Sequence, residues 1–237
     1  MKWDDILTEK DKKILERGRF GLRMGFGQRP AVLCVDCQVY MIGDRDEPLE
    51  ESIKRFPASC GHAGWQACEQ IARLLKTARE VKIPIFYTKA GRPPDRSEAG
   101  IIGLKMGGGI WDNPNWIIEN TPGTEISPML KPQPGDIVIP KKKNSAFFGT
   151  PLVSYLIDKQ IDTLLITGGS TANCIRATVF DAVAYNFRPI IVEECVFDRL
   201  EISHKVNLFD MDRQYGDVVS IEEVLGYLGR MRKSEQK

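Results

Sequence analysis

The sequence predicts an α/β protein, with a parallel sheet covered by helices on both faces. Three observations predict it. Short apolar runs alternate with amphipathic stretches along all 237 residues, the mark of strand–helix units. Neither an internal repeat nor a linker interrupts that alternation, so the chain reads as one domain over 1–237. In the clearest unit, Leu164, Leu165 and Ile166 lead into a glycine pair, small polar residues and then a helical pattern.

The elements follow in order. Residues 1–28 read as a charged helix and an arm, G-L-R-M-G-F-G-Q-R-P, leading into a first strand at Ala31–Val35. An arm of this length can reach a neighbouring subunit. Trp65–Val81 is helical, with Ile71, Leu74, Leu75 and Ala78 on one face. Strands follow at Pro84–Thr88 and, after the turn Pro134-Gly135, at Asp136–Ile139. Pro151–Asp158 is helical, Thr163–Thr167 a strand, and Thr171–Tyr185 a helix with Ile175, Val179, Ala182 and Val183 on one side. Pro189–Val192 is a strand, Ser203–Tyr215 a helix, Asp217–Ser220 the last strand and Ile221–Met231 the last helix. Residues 232–237 are polar and expected to fray. Gly91–Pro132, rich in Gly, Pro and Trp, is expected to form loops at the carboxyl ends of the strands, where such sheets bind ligands.

Composition narrows the function. A net charge of +1 gives no electrostatic pull toward nucleic acid or membrane. Lys141–Lys143 is the densest run of like charge, too short for a nucleic-acid patch. The amino terminus lacks the apolar core of a signal peptide, and no apolar run reaches membrane-span length. A cytoplasmic protein is expected, in which six cysteines are free thiols. Cys34 and Cys37 have the C-x-x-C spacing of zinc or redox sites. They lie in a strand-like run without a second pair or a histidine cluster. Cys60, Cys68 and Cys195 read as structural.

Three strand ends can carry chemistry. The first strand ends in Asp36, which either caps the following turn or serves as a general base. The third ends in Lys141, which is either part of a solvated lysine loop or a cation above the sheet. The fourth leads through Gly168-Gly169-Ser170-Thr171 to Cys174, in the first turn of a helix. A helical cysteine is either core or nucleophile. A helix start favours the thiolate and offers free N–H groups to an oxyanion. Asp, Lys and Cys from one sheet edge can together run nucleophilic acyl transfer. The chain has two histidines, His62 and His204, and neither sits at a strand end. No zinc spacing is visible.

These residues resemble the isochorismatase-like cysteine hydrolases over nearly the whole chain. The motifs are A-V-L-C-V-D-C-Q at 31–38, K-K-K-N-S-A-F-F-G-T at 141–150 and G-G-S-T-A-N-C-I-R-A-T-V-F-D-A at 168–182. Within the family the chain looks most like the N-carbamoylsarcosine amidase branch and its maleamate and biuret hydrolase relatives. G-F-G-Q-R-P before the first strand, S-C-G-H-A-G-W at 59–65, V-F-D-R at 196–199 and N-L-F-D-M at 207–211 carry that likeness.

The resemblance implies a three-layer α/β/α, Rossmann-like fold with a six-stranded, mainly parallel, doubly wound sheet. It implies a Cys174–Asp36–Lys141 triad, a cis peptide at Gly169–Ser170, and an oxyanion hole from the N–H groups of Ser170 and Cys174. Arg199, Gln214 and Gln38 are implied as substrate-binding residues. Val39-Tyr40 depart from the family's usual Asn and acid or Gly after Asp-x-Gln, which changes the pocket wall. Nicotinamidases hold a metal with an Asp and two His after the second strand. Here that loop reads T-K-A-G-R-P-P-D, so no metal and no cofactor are expected. Relatives are often dimers or tetramers, so a homodimer or homotetramer is implied, with the arm and Trp111 or Trp116 at an interface.

The expected function is hydrolysis of the C–N bond of a small carbamoyl or ureido amide, with ammonia released through a thioester. A maleamate-type amidase and a non-catalytic thiol redox or binding protein are the alternatives. Cys174 argues against an isochorismatase-type ether hydrolase. A dinucleotide-binding oxidoreductase shares the sheet, but Gly107–Gly109 do not open a helix after a strand and Gly168-Gly169-Ser170 lacks the G-x-G-x-x-G spacing.

Overall fold

A chain that lays strands outward from a centre, first one way and then the other, leaves a crevice where the order reverses. β1 (Pro30–Val35), β2 (Ile85–Ala90), β3 (Ile137–Lys141), β4 (Thr163–Gly169), β5 (Arg188–Phe197) and β6 (Asp217–Val219) do this. They pair in the order β3-β2-β1-β4-β5-β6, all parallel. The reversal falls between β1 and β4. The computed structural model describes residues 3–18, 21–105, 113 and 115–235. Gly107–Gly109 and Trp111 lie outside the described residues.

Each strand of a doubly wound sheet feeds two cores, because successive side chains point to opposite faces. Val32 and Cys34 of β1 enter one core with Leu74 and Leu75 of α4 (Gly61–Glu80) and Val224 and Leu228 of α9 (Ile221–Glu235). Leu33 and Val35 enter the other. There they meet Leu152 and Leu156 of α6 (Leu152–Asp158), Val179 of α7 (Arg176–Ala184), and Leu208 and Met211 of α8 (Glu201–Gln214). Burying each such side chain contributes about 1.5–3 kcal/mol. The result is the expected three-layer α/β/α arrangement.

The helix α1 (Glu9–Gly18) starts with reciprocal hydrogen bonds between Thr8 and Asp11, a capping box. The arm docks along the amino ends of the chain's own strands. Met24 and Gly25 donate their N–H groups to the Asp217 carboxylate, and Gln28 and Arg29 donate theirs to Asp162. Phe26 stacks on Tyr227 at 4.3 Å between centroids. At the other end, α9 runs to Glu235, beyond the expected Met231, so residues 232–235 are helical rather than frayed.

Short elements shape the carboxyl edge. They are α2 (Val39–Ile42), α3 (Leu49–Arg55), α5 (Ile102–Lys105) and single 3₁₀ turns at Pro122–Thr124 and Pro128–Leu130. Among the described residues, no helix is long and apolar enough to cross a membrane.

Candidate active site

The reversal between β1 and β4 brings the ends of those two strands side by side. β1 runs into Asp36, whose φ is 51°, the left-handed region that Asp tolerates better than most residues. That bend ends the strand abruptly. Asp36 donates its N–H to Thr88 Oγ1 at 3.1 Å and accepts the Thr88 hydroxyl on Oδ1 at 2.7 Å, which fixes the carboxylate. Oδ2 lies 2.8 Å from Lys141 Nζ. No other described group bonds Oδ2, which leaves it a lone pair to accept a proton.

β4 passes so close to β1 that only glycine fits. A Cβ on Gly168, at φ 105°, would lie 2.0 Å from the Val35 carbonyl oxygen, and one on Gly169 would lie 2.3 Å from the Phe197 ring. The Gly169–Ser170 peptide is cis. The expected single helix from Thr171 to Tyr185 is instead a π-helical turn, Thr171–Ile175, followed by α7. The Ser170 carbonyl accepts from both Asn173 N and Ile175 N, and this wider turn carries Cys174 at its inner side. Such turns recur at functional sites.

Two side chains that the sequence did not single out for this role brace the cysteine turn. Asp198 accepts the Ala172 N–H on Oδ2 at 2.8 Å and the Arg199 N–H on Oδ1 at 2.8 Å. Thr171 Oγ1 lies 2.9 Å from His204 Nδ1. His62 sits in the first turn of α4, exposed and paired with Asp46.

Lys141 comes from β3, two strands from β1 and so roughly 10 Å away across the sheet. A long side chain can span that gap. Its ammonium stands 3.5 Å from Cys174 Sγ and donates to the Lys143 and Asn144 carbonyls at 2.8 and 3.1 Å. The three consecutive lysines therefore separate. Lys141 is 3% exposed beside Asp36 at 0%, Lys142 pairs with Glu98 and Glu119, and Lys143 faces solvent. The loop is pinned by the Ala146 N–H on Thr178 Oγ1.

Electrostatics correct one expectation. The helix start, and the Lys141 cation beside it, favour the thiolate. Burial outweighs them and pushes the Cys174 thiol up to about 12, with Lys141 lowering it and Asp36 raising it. The resting group is a thiol, so it needs a base at the moment of attack. Burial works against the Lys141 charge as well, but Asp36 and Cys174 raise its value overall, and it stays an ammonium. The same burial raises Cys34, Cys60 and Cys68 to about 12. All six cysteines are free and buried, and Cys34 and Cys37 make no bridge.

A cavity of about 210 Å³ opens over Cys174, lined also by Asp36, Lys141, Ser170, Asn173 and Arg199. Tyr40, Arg92 and Trp116 line it as well. At about 30 Å³ per water, it takes a molecule the size of some seven waters. A larger groove of about 630 Å³ runs past Cys60, His62, Gln66 and His204. It is open and contains neither Cys174 nor Asp36, so the smaller cavity is the chemical one. Arg199 borders both and donates to the Ala58 carbonyl at 2.7 Å.

Two expected substrate residues lie elsewhere. Gln38 is fully buried, and its amide is consumed by backbone. Nε2 donates to the Ala90 and Thr124 carbonyls at 2.8 and 2.6 Å, and Oε1 accepts the Ala90 N–H at 2.7 Å. It ties α2 to the loops rather than facing the cavity. Gln214 is exposed at the far end of α8. That helix starts at the carboxyl edge and runs back about 20 Å at 1.5 Å per residue, so Gln214 sits near the opposite edge. Arg92 is the wall residue the sequence did not point to; its mark is a lone arginine between Gly91 and Pro93. Among the described residues, no group of three or more His, Cys, Asp or Glu could hold a metal ion.

The model of the isochorismatase domain matches residues 30–223. The maleamate amidohydrolase of Pseudomonas putida is 34% identical over 212 residues, covering 90% of this chain and 92% of that one. The N-carbamoylsarcosine amidase of an Arthrobacter species is 34% identical over 225 residues, covering 93% and 78%. A cysteine hydrolase from Pseudomonas syringae superposes with a TM-score of 0.73 at 20% identity, covering 86% and 93%, which speaks for the fold. The chain belongs to the isochorismatase-like hydrolase family.

Proposed function

We propose that this protein is a cysteine amidohydrolase that cleaves the C–N bond of a small carbamoyl or ureido amide and releases ammonia through a thioester. One observation carries the reading. A buried ammonium lies within 2.8 Å of a carboxylate and 3.5 Å of a thiol, at the mouth of a cavity of small-molecule size.

Asp36 Oδ2 takes the Cys174 proton as Sγ attacks the carbonyl carbon. The carbonyl oxygen gains the negative charge, held by the N–H groups of Ser170 and Cys174; one such donor is worth about 10²–10³ in rate. Asp36 then gives its proton to the nitrogen, the C–N bond breaks, and ammonia leaves a thioester on Cys174. Water adds to the thioester with its proton going to Asp36. The C–S bond breaks, the acid or carbamic acid departs, and the proton returns to sulfur. Lys141 keeps Asp36 oriented and offsets the charge that moves between carboxylate and thiol.

Arg199 on the cavity wall supports a substrate with a carboxylate or carbonyl-rich end, of the N-carbamoylsarcosine or biuret type. A maleamate-type amidase is the second reading, because maleamate offers Arg199 a carboxylate and one of the two relatives at 34% identity carries that activity in its name. The test is an ammonia-release screen over biuret, triuret, N-carbamoylsarcosine, maleamate and nicotinamide. It is paired with mass spectrometry of enzyme quenched with its best substrate. Turnover of at least one linear amide with an acyl adduct on Cys174 is expected. Turnover without an adduct removes the thioester, and no turnover of any of the five removes this substrate class.

A further inference from the structure

Tyr40 stands where the chain departs from its family's pattern, and it lines the cavity that holds the thiol. Its residue is 3% exposed. No group among the described residues hydrogen-bonds its hydroxyl, and that oxygen is not sealed in protein, as the buried orphan atoms of the chain are. A phenol held inside a small cavity without a protein partner is a donor kept for a ligand.

Its surroundings define what it can bind. Burial pushes its phenol well above the ordinary value. Asp36 and Cys174 act in the same direction, and Arg92 and Arg199 act against them. The hydroxyl therefore keeps its proton and remains a donor. Both guanidiniums are close enough to act on it, and both line the same cavity. Arg92 is itself 4% exposed. The ring cannot turn away. Trp116 meets it edge to face at 6.1 Å and 73°, and α2 is tied down by the Gln38 clamp and by the Val39 N–H on the Glu125 carbonyl.

We propose that the Tyr40 hydroxyl, between Arg92 and Arg199, is the specificity-determining donor for the non-reacting end of the substrate, and that this end is a carboxylate. An O–H flanked by two guanidinium charges suits an anionic acceptor with two oxygens and does not suit a terminal amide NH₂. The inference rests on the amidohydrolase reading and selects, within it, amides that carry a carboxylate over neutral ureas.

Binding is measured by calorimetry in the inactive Cys174→Ala background, with N-carbamoylglycine as the anionic probe and biuret as the neutral one. Tyr40→Phe keeps the ring against Trp116 and is expected to weaken N-carbamoylglycine about 10-fold, the size of a lost hydrogen bond to a charged group. Biuret should change by less than about 3-fold on the same scale. An unchanged affinity for N-carbamoylglycine, or an equal loss for both probes, overturns the proposal. Should Tyr40→Phe fail to fold, Arg92→Gln carries the same comparison with the same outcomes. A protein that releases ammonia from amides but shows no Tyr40 effect keeps its activity and loses this subsite. One that releases none yet loses anion affinity on Tyr40→Phe keeps the subsite and loses the amidase reading. Binding of neither probe overturns both.

Discussion

Asp36 Oδ2 and Lys141 Nζ meet at 2.8 Å, although they come from strands separated by β2. The pair is closed off from solvent, so removing one member leaves a buried charge alone. Lys141→Met is expected to lower unfolding free energy by about 3–5 kcal/mol. The double variant Asp36→Asn/Lys141→Met should regain most of that loss while remaining inactive. Urea unfolding of both variants measures this. A single variant as stable as the parent would show that the pair does not behave as a buried ion pair.

Cys174 supplies the bond-forming atom in the proposed reaction. Cys174→Ala should lose at least about 10³-fold in kcat, the scale of removing a nucleophile from a catalytic set, with melting temperature nearly unchanged. Cys174→Ser, which keeps the shape but replaces the sulfur, should be no better than about 10²-fold down. Retention of parental ammonia release by either variant would sink the mechanism.

The buried thiols link stability to alkaline pH. The ordinary thiol value is 9.0, and Cys34, Cys60, Cys68 and Cys174 are held near 12 in the folded chain. The native state keeps these protons where the unfolded chain has lost them. Their contribution is therefore intact below about pH 9 and is lost as pH rises toward 12, by about 1.4 kcal/mol per thiol per pH unit. Melting between pH 8 and 10.5 should show a steep fall above 9, and Cys68→Ala should reduce the slope. A flat profile over that range would remove the linkage.

Asp198 holds the cysteine turn through the Ala172 N–H. Asp198→Ala should cost about 1–3 kcal/mol of stability and lower kcat roughly 10–100-fold with a smaller change in KM, because a displacement of about 1 Å in the nucleophile is enough for such a loss. Steady-state kinetics separate the two constants. An unchanged kcat would mean that the turn holds itself.

The strands and the long helices were legible in the sequence because each rests on local patterns, apolar runs for strands buried on both faces and the spacing of Ile71, Leu74, Leu75 and Ala78 for α4. The strand-end positions of Asp36, Lys141 and Cys174 were legible for the same reason. Less legible were elements fixed by distant partners. The π-helical turn at Thr171–Ile175 depends on Asp198 and His204, which lie beyond the next strand. Gln38 reads as a site residue from its motif alone, and only the Ala90 and Thr124 backbone around it makes it a brace.

Sequence by itself determined the fold class, the sheet edge and which residue types could react there, because strand and helix patterns and their turns are properties of neighbouring residues. Tertiary structure alone decided that the thiol rests protonated, that Gln214 sits far from the chemistry and that Arg92 joins Tyr40 on the cavity lining. Each of these depends on burial and on groups brought together from remote parts of the chain, and neither is encoded in local spacing.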